Sequence, residues 1–538
     1  MKTYLYILIG TFAFLLSSCY EDKGNYNYND IDEIQVEFPG NMGKDGNILY
    51  AEKLGNKLSI HPDVKYNDPS ALKYDWSLFT QGSDTQILKH SKDLDITLEY
   101  GDSALIAWNA GGYSLQFTAT DTITKQSIRK LVHLSVRSIT PVGVYVMDGD
   151  KDSTDVSTIE DDDFLDGLES PILTKNYYSS VNGSKLKGEG KNVCWYFTQN
   201  NDIYTGIVLC TDQDVRTISL INFKTAQTMK QLTSNTPVKG KLMGYVSYAG
   251  GGNGMLYTES NLYHMAEDDA PTSVQFENEI KRAGVVPGYF FSDGGSLGGN
   301  LNYSDLSFDK SKEHFVQFDW YNEPSTQYEW PINLLGDDPN EPVFNPSDMK
   351  GTTLIGLDYG TATYYLTSQQ QWAMLHKTSD NSIIACRIND TAYDNDAPSY
   401  DIYKTIATDR KNTELRDMNC FQMSPLTDGL GFFSTPSGVF SLDIINGTDI
   451  SQIFSPDNSD EQITKIKILK YNYMDGMDGI NSTFTGRKGL SLYITTWDGQ
   501  QGRLYRLPLT EEGQVDNSRP TDKWEGFKEI KDICFRLQ

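Results

Sequence analysis

The chain has 538 residues, of which 22% are charged and 12% aromatic, and its formal net charge is −27. This length can supply more than one hydrophobic core, and the aromatic content is typical of folded domains rather than of disordered chains. The negative charge argues against nucleic acid as a partner, because a phosphate backbone binds clustered Lys and Arg.

Residues 1–18 have the pattern of a signal peptide. A basic start, Met1-Lys2-Thr3, precedes an apolar run from Tyr4 to Leu16, which is shorter than the roughly 20 residues of a membrane-spanning helix. Leu16-Ser17-Ser18-Cys19 follows and matches a bacterial lipobox, so we expect Cys19 to carry a lipid after cleavage. An ordinary signal peptide with a chance cysteine is the alternative.

Residues 19–33 are predicted to be a lipidated cysteine followed by a flexible polar tether. Acyl chains on Cys19 would hold the protein at the outer membrane, because each buried methylene contributes about 0.8 kcal/mol. Glu21 and Asp22 follow the lipid site closely, which favours display on the cell surface over the periplasmic face.

Residues 34–138 are predicted to form an immunoglobulin-like β-sandwich. Tyr74, Trp76 and Leu78 alternate along one strand and would place a large aromatic side chain in the core. Two further alternating segments, Gly112 to Asp121 and Leu131 to Val136, complete the strand pattern.

Residues 139–538 contain a recurring hairpin unit, in which a strand ending in Thr or Ser is followed by a polar turn and a second strand. Seven units with a spacing of roughly 50 to 67 residues predict an all-β β-propeller, most simply a seven-bladed one, with six or eight blades as alternatives. The clear copies are Met255–Thr258 with Leu262–Met265, Tyr364–Thr367 with Trp372–Leu375, Gly431–Ser434 with Val439–Leu442, and Leu492–Thr495 with Leu504–Leu507.

The C-terminal segment is expected to complete the first unit. Lys531 to Arg536 is similar to Arg416 to Phe421, which opens an earlier unit. Pairing of this last strand with the first would remove exposed strand edges.

The opening of the mature chain resembles a known family. Asp22-Lys23-Gly24-Asn25-Tyr26 after Cys19, ahead of a sandwich-like segment, is similar to the PKD-like family lipoproteins of Bacteroidetes. The resemblance implies an accessory role in nutrient uptake beside a SusC/RagA-like transporter and a SusD/RagB-like lipoprotein. It implies no catalytic residues.

The sequence has no clear catalytic motif. The six histidines are far apart, so a zinc site is not predicted, and no carboxylate pair is distinguished by its position. Cys194 and Cys210 could form a disulfide, but their apolar surroundings favour buried free thiols, as for the other cysteines of the folded region.

Asp148, Asp150 and Asp152 alternate in an acidic loop and are candidate calcium ligands. The EF-hand pattern fails, because Ser153 and Ile159 stand where Gly and Glu are required. The alternative interpretation is a solvated acidic loop.

Four aromatic residues in or beside predicted loops are candidate ligand-binding residues, because their flat faces stack on sugars and peptides. These are Trp320, Tyr321, Trp330 and Trp497. Packing of the loops is the alternative role for them. Trp195 and Trp372 lie within strands and are expected in the core.

The leading hypothesis is a non-catalytic surface lipoprotein that binds a glycan, a peptide or a partner transporter for nutrient uptake. A glycan-active hydrolase or lyase is the first alternative, and a surface adhesin is the second.

Overall fold

In the computed structural model the chain consists mainly of β-strands, which confirms the predicted all-β class. The chain divides into two compact units, residues 1–138 and 139–538, here called the N-terminal and C-terminal units. Within the described residues, no helix is both long and apolar enough to cross a bilayer. The described residues are 33–39, 48–79, 86–99, 108, 111–137, 139–161, 163–164, 170–196, 206–220, 222–233, 237–247, 254–266, 275–280, 285–287, 304–319, 327–328, 348–362, 369–389, 399–406, 413–445, 450–469 and 490–536.

The N-terminal unit is built from short strands. Its largest sheet has the order β2-β9-β8-β5-β6, and two-stranded sheets pair β1 with β4 and β3 with β7. In the large sheet only the pairing of β2 with β9 is parallel. The described strands are β1 Gln35–Glu37, β2 Leu49–Lys53, β3 Lys57–Ile60, β4 Asp63–Lys65, β5 Leu72–Phe79, β6 Gln86–Lys89, β7 Leu94–Thr97, β8 Gly111–Asp121 and β9 Ser127–Arg137, with a 3-10 helix at Pro69–Ala71.

Trp76 is a central core residue of this unit, as the alternating pattern of β5 predicts. Its side chain is completely buried, and its ring lies 5.0 Å from that of Phe117 on the neighbouring strand β8. Phe38, which follows β1, packs edge-on against both rings. The two-stranded sheet β1-β4 therefore contributes to the same core as the five-stranded sheet.

The turn between β8 and β9 is organised by Asp121. Its carboxylate accepts hydrogen bonds from the Tyr66 hydroxyl at 2.6 Å and from the backbone N–H of Ile123 at 2.7 Å and of Thr124 at 3.2 Å. These bonds, that from Tyr66 first, lower the pKa of Asp121 to about 2. Asp121 thus has a structural role in this turn.

The C-terminal unit consists of antiparallel strands with three short helices, Tyr177–Asn182, Met229–Leu232 and Thr413–Arg416, among its described residues. Its first strands are β10 Gly143–Gly149, β11 Ser153–Glu160, β12 Ile172–Thr174, β13 Leu186–Lys187, β14 Gly190–Tyr196, β15 Gly206–Thr211, β16 Val215–Ser219, β17 Thr225–Thr228, β18 Leu242–Ser247, β19 Gly254–Thr258, β20 Leu262–Ala266, β21 Gln275–Ile280, β22 Val285–Pro287, β23 Ser304–Asp309, β24 His314–Asp319 and β25 Gln327–Tyr328. The remaining strands are β26 Thr352–Ala362, β27 Gln369–Lys377, β28 Ile383–Asn389, β29 Ser399–Ile406, β30 Cys420–Met423, β31 Leu430–Thr435, β32 Gly438–Asp443, β33 Ile450–Phe454, β34 Gln462–Ile468, β35 Leu490–Trp497, β36 Gly502–Leu509, β37 Asp522–Phe527 and β38 Glu529–Arg536.

These strands form seven sheets, each with four strands in consecutive order except the first. Sheet 1 has the order β38-β10-β11-β12, with β13 added to β11, and it takes its first strand from the C-terminus. Sheets 2 to 7 begin with β14, β18, β22, β26, β30 and β34. We call these six strands and β38 the lead strands. The pairing of β38 with β10, in which Gly143 faces Arg536, is the pairing expected for the C-terminal strand.

Three of the four predicted hairpins are pairs of adjacent strands, namely β19–β20, β31–β32 and β35–β36. In the fourth, Trp372–Leu375 lies in β27, which pairs with β26 and β28, and Tyr364–Thr367 lies outside the described residues.

Neighbouring sheets of this unit share buried apolar clusters. The core prediction for Trp372 is confirmed, since its side chain is completely buried in one of them, whereas the side chain of Trp195 is not among those described. Between sheets 3 and 4, strands β19 and β22 are in contact. The clusters join sheets 1 and 2 (Tyr145 with Ile207), 2 and 3 (Val208 with Leu256), 4 and 5 (Phe308 with Ala373), 5 and 6 (Met374 with Phe433), 6 and 7 (Phe432 with Ile494), and 7 and 1 (Leu504 with Val146).

Polar side chains on the lead strands also connect one sheet to the next. The Asp532 carboxylate on β38 accepts the backbone N–H of Val193 on β14 at 3.1 Å. The Asn192 amide oxygen on β14 accepts the backbone N–H of Tyr245 on β18 at 2.9 Å, and its amide nitrogen donates to the Tyr245 carbonyl.

The same arrangement continues in sheets 5, 6, 7 and 1. Asp358 accepts the N–H of Met423 at 2.6 Å, and Gln422 accepts the N–H of Ile468 at 3.2 Å. Lys467 donates to the carbonyl of Ile533 at 2.8 Å and so returns to β38. Buried peptide groups at the edges of the lead strands therefore obtain partners from the adjacent sheet, which avoids the cost of leaving them unpaired.

Asp532 has partners on both sides. It accepts from the Lys465 ammonium at 2.7 Å as well as from Val193, and only 3% of it is exposed. We expect Asp532→Ala to lower the free energy of unfolding by about 3 kcal/mol, because it leaves a partly buried lysine and a buried N–H without their partner. Urea unfolding followed by tryptophan fluorescence measures this loss.

Asp460→Ala is the control for that measurement, since Asp460 is exposed. We expect it to change the free energy of unfolding by less than about 0.5 kcal/mol. Equal effects of the two substitutions would contradict the role of Asp532.

Candidate functional site

Hairpin turns of sheets 1 and 7 bring two of the predicted functional segments together. The turn between β10 and β11 contains Asp150 and Asp152, and the turn between β35 and β36 follows Trp497. Lys528, between β37 and β38, contacts the first of these turns. We call Asp148, Asp150, Asp155, Lys185 and Lys528 the turn site.

Asp150 shapes the first turn. Its carboxylate oxygen Oδ1 accepts the backbone N–H groups of Asp152 and Ser153, both at 3.0 Å, and its own N–H donates to the Ser153 carbonyl. An aspartate that binds the N–H groups two and three residues ahead is a common local way to close a tight turn. The hairpin therefore forms from its own residues.

Lys528 attaches this hairpin to the end of the chain. Its backbone N–H donates to Asp148 Oδ2 at 2.8 Å, and its ammonium group donates to Asp150 Oδ2 at 2.7 Å. The ammonium of Lys528 and the two turn N–H groups hold the pKa of Asp150 well below its ordinary value. The charged form of Asp150 thus anchors Lys528 to this turn.

Asp148 and Asp155 form a buried carboxylate pair. They face each other across β10 and β11, and their exposed fractions are 8% and 1%. Asp155 Oδ1 accepts the N–H of Val156 and of Ser179, while Asp148 Oδ1 and Asp155 Oδ2 have no hydrogen-bond partner. The Lys185 ammonium lies 3.9 Å from Asp155 Oδ2.

This arrangement raises the pKa of Asp148 to about 6. Burial is the main cause, because it penalises the charged form, and the negative charge of Asp155 acts in the same direction. Asp148 can therefore exchange a proton near neutral pH, as a general acid or base must.

The turn that follows Trp497 lies beside Lys528. Trp497 is half-buried and faces Gly502 across the hairpin. A Cβ atom added to Gly502 would lie 2.1 Å from the Lys528 carbonyl, so only glycine allows this approach. The Asp498 carboxylate accepts hydrogen bonds from two backbone N–H groups of the turn, and the Arg503 guanidinium lies 2.8 Å from it. These interactions lower the pKa of Asp498 to about 2.

The other predicted site residues are placed as follows. Asp152 is exposed, and its carbonyl accepts the N–H of Gly188. Cys19, Trp320, Tyr321 and Trp330 lie outside the described residues. Across the described ranges, no group of three or more His, Cys, Asp or Glu residues could hold a metal ion. Calcium binding by Asp148, Asp150 and Asp152 stays a prediction.

Cys194 and Cys210 are buried free thiols, which confirms the preference for thiols over a disulfide. Burial raises the pKa of both thiols well above the ordinary range. Neither is therefore activated as a nucleophile.

A second charged cluster lies between sheets 1 and 7, and its members contact one another. Tyr493 and Ser491 donate to Asp163 at 3.1 and 2.6 Å, and Arg506 lies 3.5 Å from Asp161 and 3.4 Å from Asp163. Burial raises the pKa of the Tyr493 hydroxyl well above its ordinary value. The opposite charges of these groups compensate one another, as buried charges require, so the cluster has a structural role.

Sequence reasoning missed Asp155, Lys185 and Lys528. Asp155 had a usable signal, because a tight hairpin closed at Asp150 places Asp148 opposite Asp155. Lys528 had none, since 378 residues separate it from Asp150.

Residues 19–190 match the PKD-like family. This region begins at the predicted lipid site and contains the described strands β1 to β13. It is wider than the predicted sandwich of residues 34–138, because it extends into the first strands of sheet 1. None of the curated proteins compared with the chain matches it.

We expect Asp148→Asn to stabilise the protein at pH 7 to 8 by on the order of 2 kcal/mol, because it removes a charge that burial disfavours. The raised pKa of Asp148 means that the folded protein binds this proton more tightly than the unfolded chain. The stability of the unsubstituted protein should therefore increase relative to the variant as the pH falls from 7 through about 6 towards 4. Urea unfolding at several pH values measures the difference.

Asp150→Asn is the matched control in the same turn. The folded protein stabilises the charged form of the Asp150 carboxylate, so this substitution should destabilise the protein at pH 7. Destabilisation by both substitutions at pH 7 would contradict the description of Asp148.

Proposed function

We propose that the protein is a lipid-anchored, non-catalytic binding protein of the outer membrane, displayed on the cell surface. The lipid on Cys19 holds it there, and residues 19–33 act as a tether. The seven sheets of the C-terminal unit form a closed seven-bladed β-propeller that binds a glycan, a peptide or a SusC/SusD-like partner during nutrient uptake.

The cyclic order of the sheet contacts supports the propeller. Apolar clusters connect sheet 7 back to sheet 1, and β38 completes sheet 1 from the far end of the chain. A ring in which the last strand completes the first blade leaves short, protected strand edges.

The start of the family match supports the anchor. It begins at Cys19, the residue at which the lipobox predicts that the mature chain starts. A soluble tether and domain following an acylated cysteine need no membrane-spanning helix.

The contacts of the polar side chains on the lead strands favour binding over catalysis as the function of this unit. Asp532, Asn192, Asp358, Gln422 and Lys467 bond to the neighbouring sheet. Groups held in this way serve as scaffold, so recognition falls to the loops and turns, including the turn with Trp497.

The buried pair of Asp148 and Asp155 favours one alternative, a glycan-active enzyme. Paired carboxylates with one raised pKa are the acid–base arrangement of glycoside hydrolases. Under this alternative, Asp148→Asn abolishes turnover of a glycan pool, whereas under the proposal no turnover occurs with either protein.

Lipidation gives a direct prediction. Cells fed an alkyne analogue of palmitate should label the full chain, and Cys19→Ala should lose the label and leave the membrane fraction. The physical reason is that acylation needs this thiol and that burial of the acyl chains supplies the attachment. In-gel detection of the label measures it.

Cys420→Ala is the matched control, because Cys420 is a partly exposed thiol in the C-terminal unit. It should keep full labelling. Equal labelling of Cys19→Ala and the unsubstituted chain would overturn the anchor.

Partner binding is tested by affinity capture of the full chain from its native membrane. We expect SusC/SusD-like proteins to co-purify, or the purified protein to bind a component of a glycan or peptide array, with binding weakened at least fivefold by Trp497→Ala. Trp372→Phe, a change in a buried residue, should leave binding unchanged. Absence of both partners and ligands would count against nutrient uptake, and binding only to host or neighbouring cells would indicate an adhesin.

A further inference from the structure

The five-stranded sheet of the N-terminal unit has one face on the core and one face on the surface. Along β9, Val132 and Leu134 are buried, whereas Arg129, Leu131 and His133, which alternate with them, are exposed. Successive residues of a strand point to opposite faces of the sheet, so the exposed set lies on the side away from the core. We call this side of the sheet the outer face.

Three aliphatic side chains are exposed on the outer face. Leu131 and Ile87 lie in one cross-strand row, through the pairings of β9 with β8, β8 with β5 and β5 with β6. Leu49 on β2 pairs with His133, two positions after Leu131. Their exposed fractions are 52% for Leu49, 48% for Ile87 and 45% for Leu131. Large apolar side chains grouped on one exposed face are typical of an interaction surface.

The charged side chains of the outer face are mainly basic. Arg129 on β9 and Lys73 on β5 are both exposed. Among the described outward-facing residues of β2, β5, β8 and β9, Asp75 is the acidic one. Its carboxylate contacts the His90 ring and lies 3.8 Å from the Lys73 ammonium. The outer face therefore combines exposed aliphatic side chains with an excess of positive charge.

The exposed side of the two-stranded sheets has a different character. The Lys57 ammonium lies 2.9 Å from Asp95, and the Lys65 ammonium lies 3.8 Å from Glu37, so opposite charges are paired there. Within the described residues, no exposed large hydrophobic residue lies in β1, β3, β4 or β7. The combination of aliphatic and basic side chains thus distinguishes one side of the N-terminal unit from the other.

We propose that the outer face binds the anionic lipid head groups of the membrane to which the chain is anchored. Basic side chains attract anionic head groups, and exposed aliphatic side chains enter the boundary between head groups and acyl chains. This inference rests on the proposed lipid anchor at Cys19. A flexible tether of residues 20–33 spans roughly 20 Å, so the anchor keeps the outer face at a high local concentration beside the membrane.

The net charge of −27 does not oppose this contact. The excess of acidic residues lies mainly in residues 139–538. At physiological ionic strength, salt screens exposed charges beyond about 8 Å, so the side chains at the contact determine its electrostatics. A basic face can therefore bind an anionic surface even though the whole chain is acidic.

The experiment measures co-sedimentation of the chain from Tyr20 to Gln538 with lipid vesicles. This chain retains every described residue and lacks Cys19. We expect it to bind equimolar phosphatidylcholine–phosphatidylglycerol vesicles at least about fivefold more tightly than phosphatidylcholine vesicles, because each basic side chain near an anionic surface contributes about a factor of five. High salt should reduce this difference. Equal binding to the two kinds of vesicle, or binding to neither, would overturn the inference.

Two substitutions on the outer face have matched controls. Arg129→Glu and Leu131→Ser should each weaken binding to the anionic vesicles at least about fivefold. Lys65→Glu makes the same change of charge on the other side of the N-terminal unit, and Ile172→Ser removes a similarly exposed aliphatic side chain from the C-terminal unit. Both controls should bind as the unsubstituted chain does. Equal losses in the outer-face variants and their controls would overturn the inference.

Failure of the anchor and failure of the outer face give different results. The chain that begins at Tyr20 has no Cys19 to acylate, so its binding to vesicles reports on the outer face alone. Vesicle binding as expected, together with palmitate labelling that survives Cys19→Ala, would overturn only the anchor. Labelling that depends on Cys19, together with no preference for anionic vesicles, would overturn only the membrane contact of the outer face.

Discussion

The pairing of β38 with β10 is the constraint on which much of the C-terminal unit depends. It joins residues nearly 400 positions apart, since Arg536 at the chain end also donates to the carbonyl of Thr140. Because β38 brings Asp532 and Lys528 with it, the same pairing positions the contacts to sheets 2 and 7 and to the turn site. Loss of this strand would therefore remove several buried polar contacts at once.

The polar groups of this unit differ between the lead strands and the turn site. Side chains on the lead strands bond to peptide groups of the next sheet, which satisfies edges that would otherwise be costly to bury. At the turn site, in contrast, the burial of Asp148 is only partly compensated, because one of its oxygens has no hydrogen-bond partner. Sites that keep such a cost are frequently functional, and the enzyme alternative therefore rests on this hairpin rather than on the lead strands.

The sequence alone determined the strand-rich class, the core role of Trp76 and the hairpins of sheets 3, 6 and 7, because local alternation and turn residues encode them. The pairing of the C-terminal strand was predictable for another reason, the similarity of Lys531–Arg536 to the segment that opens an earlier unit. Only the tertiary structure decided that Lys528 meets Asp148 and Asp150. Alternation does not identify a strand's partner, and no local pattern links residues so distant in the chain. For the candidate site, Asp148, Asp150 and Trp497 were therefore predictable one by one, but their proximity was not.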